Sequence, residues 1–181
     1  ESSSGSVRLA KKELDWSTLL ISSLTSGAQT TNQGVIDVPD ASRTKPNPEN
    51  NHQRYLLAKM EKQLSGSQNI VLTLEDVSKY RKTNLYTART STIFDHQAKD
   101  QLKRQRISID VTTKKSIFGF EDESSIKLWL QRARVNQLSI EDRQVDRSRD
   151  NNLSDNSVGI NANWVNYQDG KISRKWTYGF D

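Results

Sequence analysis

Cysteine is absent from the 181 residues, which excludes disulfide frameworks, thiolate metal sites and cysteine nucleophiles. Histidine is nearly absent too, at His52 and His96 alone, and without cysteine the usual zinc ligand sets cannot be assembled. His96 follows Asp95, but chain neighbours do not take up the Asp-to-His orientation of a catalytic dyad, and no G-x-S-x-G motif is present. The eight glycines stand singly, in neither G-x-x-x-x-G-K-[ST] nor G-x-G-x-x-G, so no phosphate-cradling loop is expected. No cofactor and no metal follow from these residues, and no catalytic set can be named.

Long hydrophobic runs are also missing. The longest, Leu19 to Leu24, falls well short of the roughly 18 to 20 residues a membrane-spanning helix needs, so no membrane span is expected. The first residue is Glu rather than Met, as in a processed or trimmed N-terminus. The three prolines, Pro39, Pro46 and Pro48, all fall between Gly27 and Asn51, a stretch that reads as an extended arm.

What is present is charge and polarity. Hydrophobic residues make up 33%, and 27 Lys and Arg stand against 22 Asp and Glu, a net charge of +5. Mean hydropathy is −0.82. This composition predicts a thin core and permits nucleic acid, an anionic surface or an acidic protein as partner.

Periodicity supplies the elements. Leu9, Trp16, Leu20 and Leu24 recur at helical spacing, as do Leu56, Met60 and Leu64 ahead of Gly66. Ile126, Trp129, Leu130, Ala133 and Leu138 line one face of a third predicted helix, opened by Glu121, Asp122 and Glu123. Asp95 to Gln105 reads as a short solvated helix with favourable i,i+4 pairs, Asp95 with Lys99 and Asp100 with Arg104. Strands are expected at Asn69 to Leu74, at Leu85 to Phe94, and where Ile107, Ile109 and Val111 alternate with polar residues. Asp169-Gly170 between two alternating runs predicts a C-terminal β-hairpin. A two-residue loop would set Tyr167 opposite Ile172, placing Tyr167, Trp176 and Tyr178 on one face and Trp164 on the other.

These elements add up to an α+β fold: an antiparallel sheet of about five strands, two or three covering helices, the hairpin and an extended N-terminal arm. Residues 1–52 would form the helix and arm, and 53–181 the α+β domain.

Two surfaces carry functional expectations. The hairpin residues Trp164, Tyr167, Arg174, Trp176 and Tyr178 are the types enriched at protein interfaces. The segment 79–115 is strongly basic, with Lys79, Arg81, Lys82, Arg89, Lys103, Arg106, Lys114 and Lys115 interleaved with Tyr80, Tyr86 and Phe94, a pattern that suits phosphates and stacked bases. Asp142, Asp146 and Asp150 recur every fourth residue and on a helix would share a face with room for a hard cation. The sequence therefore points first to a non-enzymatic structural or assembly subunit. Its setting would be a phage or virion particle or an extracytoplasmic secretion or filament apparatus, and its partners other protein subunits. A nucleic-acid-binding module is the alternative, and a metal-dependent nuclease the second alternative.

Overall fold

In a computed structural model of the chain, residues 2–29, 34–114, 122–168 and 174–180 are described. They form one antiparallel sheet of eight strands in which every strand pairs with its neighbour in sequence. The strands are β1 (Ser2–Lys12), β2 (Trp16–Ala28), β3 (Glu49–Ser65), β4 (Gln68–Asn84), β5 (Ile93–Thr113), β6 (Glu123–Arg143), β7 (Arg147–Gln168) and β8 (Arg174–Phe180). The only helical element among the described residues is a single 3₁₀ turn, Tyr86–Ala88.

This overturns the α+β expectation. No helix covers the sheet among the described residues, and the segments expected to be helical are β1 with β2, β3, about half of β5, and β6; the charged stretch expected as a frayed helix and loop opens β7. The cause is an ambiguity of spacing, since residues four apart satisfy a helical repeat and a strand repeat equally. The residue between them decides: Ala58 sits between Leu56 and Met60, and Leu128 between Ile126 and Leu130, so period 2 wins. The acid–base pairs separate accordingly. Asp95 accepts from Arg89 at 2.5 Å, Asp100 pairs with Arg81 at 2.6 Å, and Arg104 pairs with Glu75 at 2.6 Å. All three are cross-strand or loop contacts rather than steps along a helix.

Each end of the sheet mixes connections: three residues join β6 to β7 at the end of the long β2–β3 loop, and nine separate β5 from β6 at the end of the β1–β2 and β3–β4 turns. At one end β1 joins β2 and β3 joins β4 through tight turns, and Asp122 beside β6 accepts a hydrogen bond from the Tyr167 backbone N–H of β7. At the other end the β2–β3 loop folds back onto the β4–β5 loop. There Arg43 and Arg89 lie over the Tyr86 ring at 5.1 and 4.3 Å, and the Asn47 side chain holds Thr87. Arg43 and Lys45 both pair with Asp37, and these hydrogen bonds hold its carboxyl below the usual carboxylate range. Residues 34–48 of the expected arm are thus a loop fastened to the sheet's own far end, with no strand at Val35 to Val38.

Very little is buried. Val77 and Ala162 are the only buried hydrophobic residues among those described, so the sheet lacks the second layer that normally covers an apolar face.

Candidate functional site

Directly opposed residues on neighbouring strands point to the same side of a sheet, so each rung of the ladder can be read straight across it. One rung runs Leu9, Leu20, Ala58, Leu74, Ile107, Leu130 and Val158, apolar on all seven strands it crosses. Two rungs nearer the tight turns bring Met60, Leu72, Ile109, Leu128 and Ile160, then Ile70, Val111, Ile126, Ala162 and Phe180, to the same face. Together they make an apolar band across the whole sheet.

Over the middle of β5 to β7 exposure is inverted relative to a soluble domain, whereas at the turn-side border Thr113, Ser124 and Ala162 on the apolar face are buried. Ile107 and Ile109 on the apolar face are 41% and 39% exposed, whereas Ser108 between them, on the other face, is 7% exposed. The same alternation runs along β6, where Leu128 and Leu130 are exposed and Trp129 and Gln131 are less so. That is the pattern of a sheet curved with its polar face inward and its apolar face outward.

The inner face is polar over β5 to β7 and mixed over β2 to β4. Arg104 pairs there with Glu75 at 2.6 Å, and Lys127 with Asp110 at 3.7 Å. Trp129 lies flat across β7 because Gly159 opposite has no side chain; a Cβ there would come within 2.3 Å of the indole. The Arg106 guanidinium covers the same ring at 5.0 Å.

Aromatic residues mark the border of the band on the tight-turn side. Trp164 packs against Tyr178 and Phe180, with ring centroids 6.2 and 5.8 Å apart. Trp16 belongs to the same face, its indole N–H donating to Glu13 at 2.6 Å and Lys11 lying 5.3 Å from its ring. On the long-loop side the band ends on polar rungs: Asp76, Gln105, Arg132 and Asn156, then Arg54, Ser78, Lys103, Arg134 and Ser154.

The band crosses the strands obliquely. Tyr178, the middle of Trp176, Tyr178 and Phe180, lies on the rung that meets β6 at Ser124. Val7 and Leu9 lie on rungs that meet β6 at Arg132 and Leu130, midpoint 131. The drift is 131 − 124 = 7 residues over the seven steps from β8 to β1. One residue per step, at a rise of about 3.4 Å and a strand spacing of about 4.8 Å, tilts the strands about 35° from the band's normal.

Compared with family models and with curated proteins, the sequence matches none. Geometry alone therefore carries the assignment.

The predicted site residues are distributed as follows. In the hairpin, Tyr167 pairs with Lys175 and Trp164 with Tyr178, a register three residues away from the expected one. An odd shift exchanges faces, so Trp176 and Tyr178 join Trp164 on the apolar face while Tyr167 points to the other. The Asp169-Gly170 turn and the Arg174 side chain lie outside the described residues. The basic segment is divided: Lys79, Arg81 and Arg106 face inward, Lys82 and Lys103 outward, and Arg89 is held by Asp95 in a loop. Lys114 lies just past the end of β5, its backbone N–H donating to the Ser67 carbonyl, and Lys115 lies outside the described residues. The three aspartates do not stack. Asp142 ends β6 opposite Asp95, Asp146 accepts from the Arg143 backbone N–H in the turn, and Asp150 in β7 accepts from Asn152. Among the described residues no cluster of three His, Asp or Glu suits a metal ion. None of these residues is helical, and no helix among those described is long and apolar enough to cross a membrane, a statement that leaves strands untouched.

The apolar band itself was missed from sequence. Its signal was there, as apolar triplets at period 2 in Leu56/Ala58/Met60, Ile70/Leu72/Leu74, Ile107/Ile109/Val111, Ile126/Leu128/Leu130 and Val158/Ile160/Ala162.

Proposed function

We propose that this sheet is wall of a transmembrane β-barrel, its apolar band against lipid and its polar, inward-curving face toward the lumen. The observation that carries the reading is the continuous apolar band on one face, left exposed over the middle of β5 to β7, with charged pairs on the other face. Supporting it, the strand tilt of about 35° lies at the lower end of the range for such barrels, roughly 35 to 45°. On β3 the outward-facing charges that flank the band, Arg54 and Lys62, are 62 − 54 = 8 residues apart. That is about 27 Å along the strand and about 22 Å along the band's normal, close to the roughly 25 Å apolar height of outer-membrane barrels. Trp16, Trp164 and Tyr178 at the turn-side border suit an interfacial aromatic girdle.

The edges β1 and β8 are not paired with each other, so a closed wall requires them to meet each other or further strands. This reading keeps a non-enzymatic wall element of an extracytoplasmic apparatus and changes what it touches, from protein alone to lipid. The competing reading is that a second protein sheet covers the band.

The four tryptophans discriminate. Trp16, Trp164 and Trp176 belong to the apolar face and Trp129 to the polar one. Single-tryptophan variants folded into vesicles containing brominated phosphatidylcholine should show quenching of the first three and sparing of Trp129. Equal quenching of all four, or of none, would overturn the proposal; none with a defined dimer would favour the protein-covered sheet.

A further inference from the structure

Cations on both faces have partners, Arg104 in Glu75 and Arg81 in Asp100 on the polar face and Arg54 in Asp76 on the apolar one. On the long-loop border of the apolar face, Arg132 and Arg134 make no hydrogen bond or ion pair among the described residues. Lys103 and Arg134 are directly opposed on adjacent strands, with Arg132 two residues along. Like charges in that position repel, at a Cβ separation of about 5 Å. The one acid on these rungs, Asp76, is engaged by Arg54 at 3.0 Å and Gln105 at 2.9 Å.

Beside this cluster lies a groove of about 660 Å³, lined along the band by Leu56, Ala58, Leu74, Ile107, Leu130 and Val158. Its polar lining includes Asp76, Gln105, Arg132 and Asn156 and also the Glu75 acid and Arg106. An apolar channel that ends at Arg132, with Lys103 and Arg134 one rung beyond, is complementary to one class of molecule, an amphiphile with an anionic head.

Resting on the barrel reading, we infer that Lys103, Arg132 and Arg134 bind the phosphate of an anionic lipid whose acyl chain lies in this groove. The phosphate offsets the Lys103–Arg134 repulsion, and the chain fills a groove that water wets poorly. Each cation near a membrane surface contributes roughly fivefold in affinity, so removing three should cost roughly 100-fold.

The test uses the full chain and its K103Q/R132Q/R134Q variant in neutral detergent, offered phosphatidylglycerol and phosphatidylcholine of matched chains, with retained lipid counted by native mass spectrometry. The wild type should retain phosphatidylglycerol preferentially, and the variant should lose that preference. Excess inorganic phosphate should leave the lipid in place. Equal retention of both lipids by the wild type, or displacement by phosphate alone, would overturn the inference. Quenching of Trp164 in brominated phosphatidylcholine vesicles, which contain no anionic lipid, reports separately on the barrel: if it persists while the lipid preference is absent, only the lipid site fails. Should the triple variant not fold, R134Q alone must lower the preference by several-fold, and no change would refute the site.

Discussion

Placing an arginine at Leu128 should separate a lipid-facing wall from a water-facing sheet more sharply than any other single change. Leu128 is the middle of the Ile126, Leu128 and Leu130 triplet on β6 and is 46% exposed on the apolar face. If that face meets water, Leu128→Arg removes exposed apolar surface and touches no buried group, so stability should move by no more than about 0.5 kcal/mol. If it meets lipid, an arginine near the bilayer midplane costs about 2 to 4 kcal/mol. That is about 30- to 900-fold in the folding equilibrium, at about 1.36 kcal/mol per tenfold. Two companions fix the interpretation. Leu56→Arg lies on the border rung with Asp76 and Arg132, where the cost should fall to about 0 to 1 kcal/mol. Gln131→Arg lies next to Leu130 but on the polar face, opposite Arg106 and Ser157, and should cost only what local repulsion adds, under about 1 kcal/mol. The assay is urea unfolding of protein folded into phosphatidylcholine vesicles, followed by tryptophan emission. A Leu128→Arg protein as stable in vesicles as the wild type, or a Gln131→Arg protein that suffers more, would refute the assignment of faces.

Gly159→Ala should destabilise the sheet by about 1 to 3 kcal/mol, since the new methyl would overlap the Trp129 indole; Trp129→Ala in the same chain should recover most of that loss, and a cycle without coupling would count against the packing described. Trp164 and Tyr178 should couple by about 0.5 to 1.5 kcal/mol in a double-mutant cycle, given centroids 6.2 Å apart, and a zero coupling would dissolve the girdle cluster. Asp76 has its pKa lowered from 3.8, first by the Gln105 hydrogen bond and then by Arg54. A depressed folded value means that its contribution is present above the unfolded value and is lost as pH falls through the folded one. The stability gap between wild type and Asp76→Asn should therefore be open at neutral pH and close as pH falls below about 4, and a gap that persists in acid would contradict the role of the charge.

Strand positions were legible where β-branched residues alternated cleanly, as at Ile107, Ile109 and Val111, and where apolar residues clustered between turn residues, as at Ile70 to Leu74. They were illegible where an intervening residue was small or polar enough to look like the wet side of a helix. Ala58 between Leu56 and Met60 is one such case, and Ser22 between Leu20 and Leu24 is another. The C-terminal hairpin itself was legible, since β7 pairs antiparallel with β8, but its register was not: Asp169-Gly170 implies a two-residue loop, the observed pairs leave five residues between Gln168 and Arg174, and the odd shift turned the aromatics over. The band could not be seen from any single segment. Each strand contributes only about three outward apolar residues, and their continuity exists only once seven ladders are in register.

The low mean hydropathy, −0.82, then becomes a consequence of strand length rather than an argument against lipid. A strand of 21 residues such as β5 or β6 extends about 70 Å, of which the span between flanking charges takes about 27 Å. Within that span only every second residue faces outward, so roughly four or five positions in 21 need be apolar. The remainder, Lys99, Gln101 and Lys103 on one side of β5 and Asp100 on the other, stands beyond the band toward the long loops with polar groups on both faces. There, two-sided polarity is what water requires of a strand. A composition that excludes a membrane helix is thus the composition expected of long barrel strands that project past the bilayer, and on the barrel reading the length of that projection places Lys103, Arg132 and Arg134 at the boundary between the two regimes.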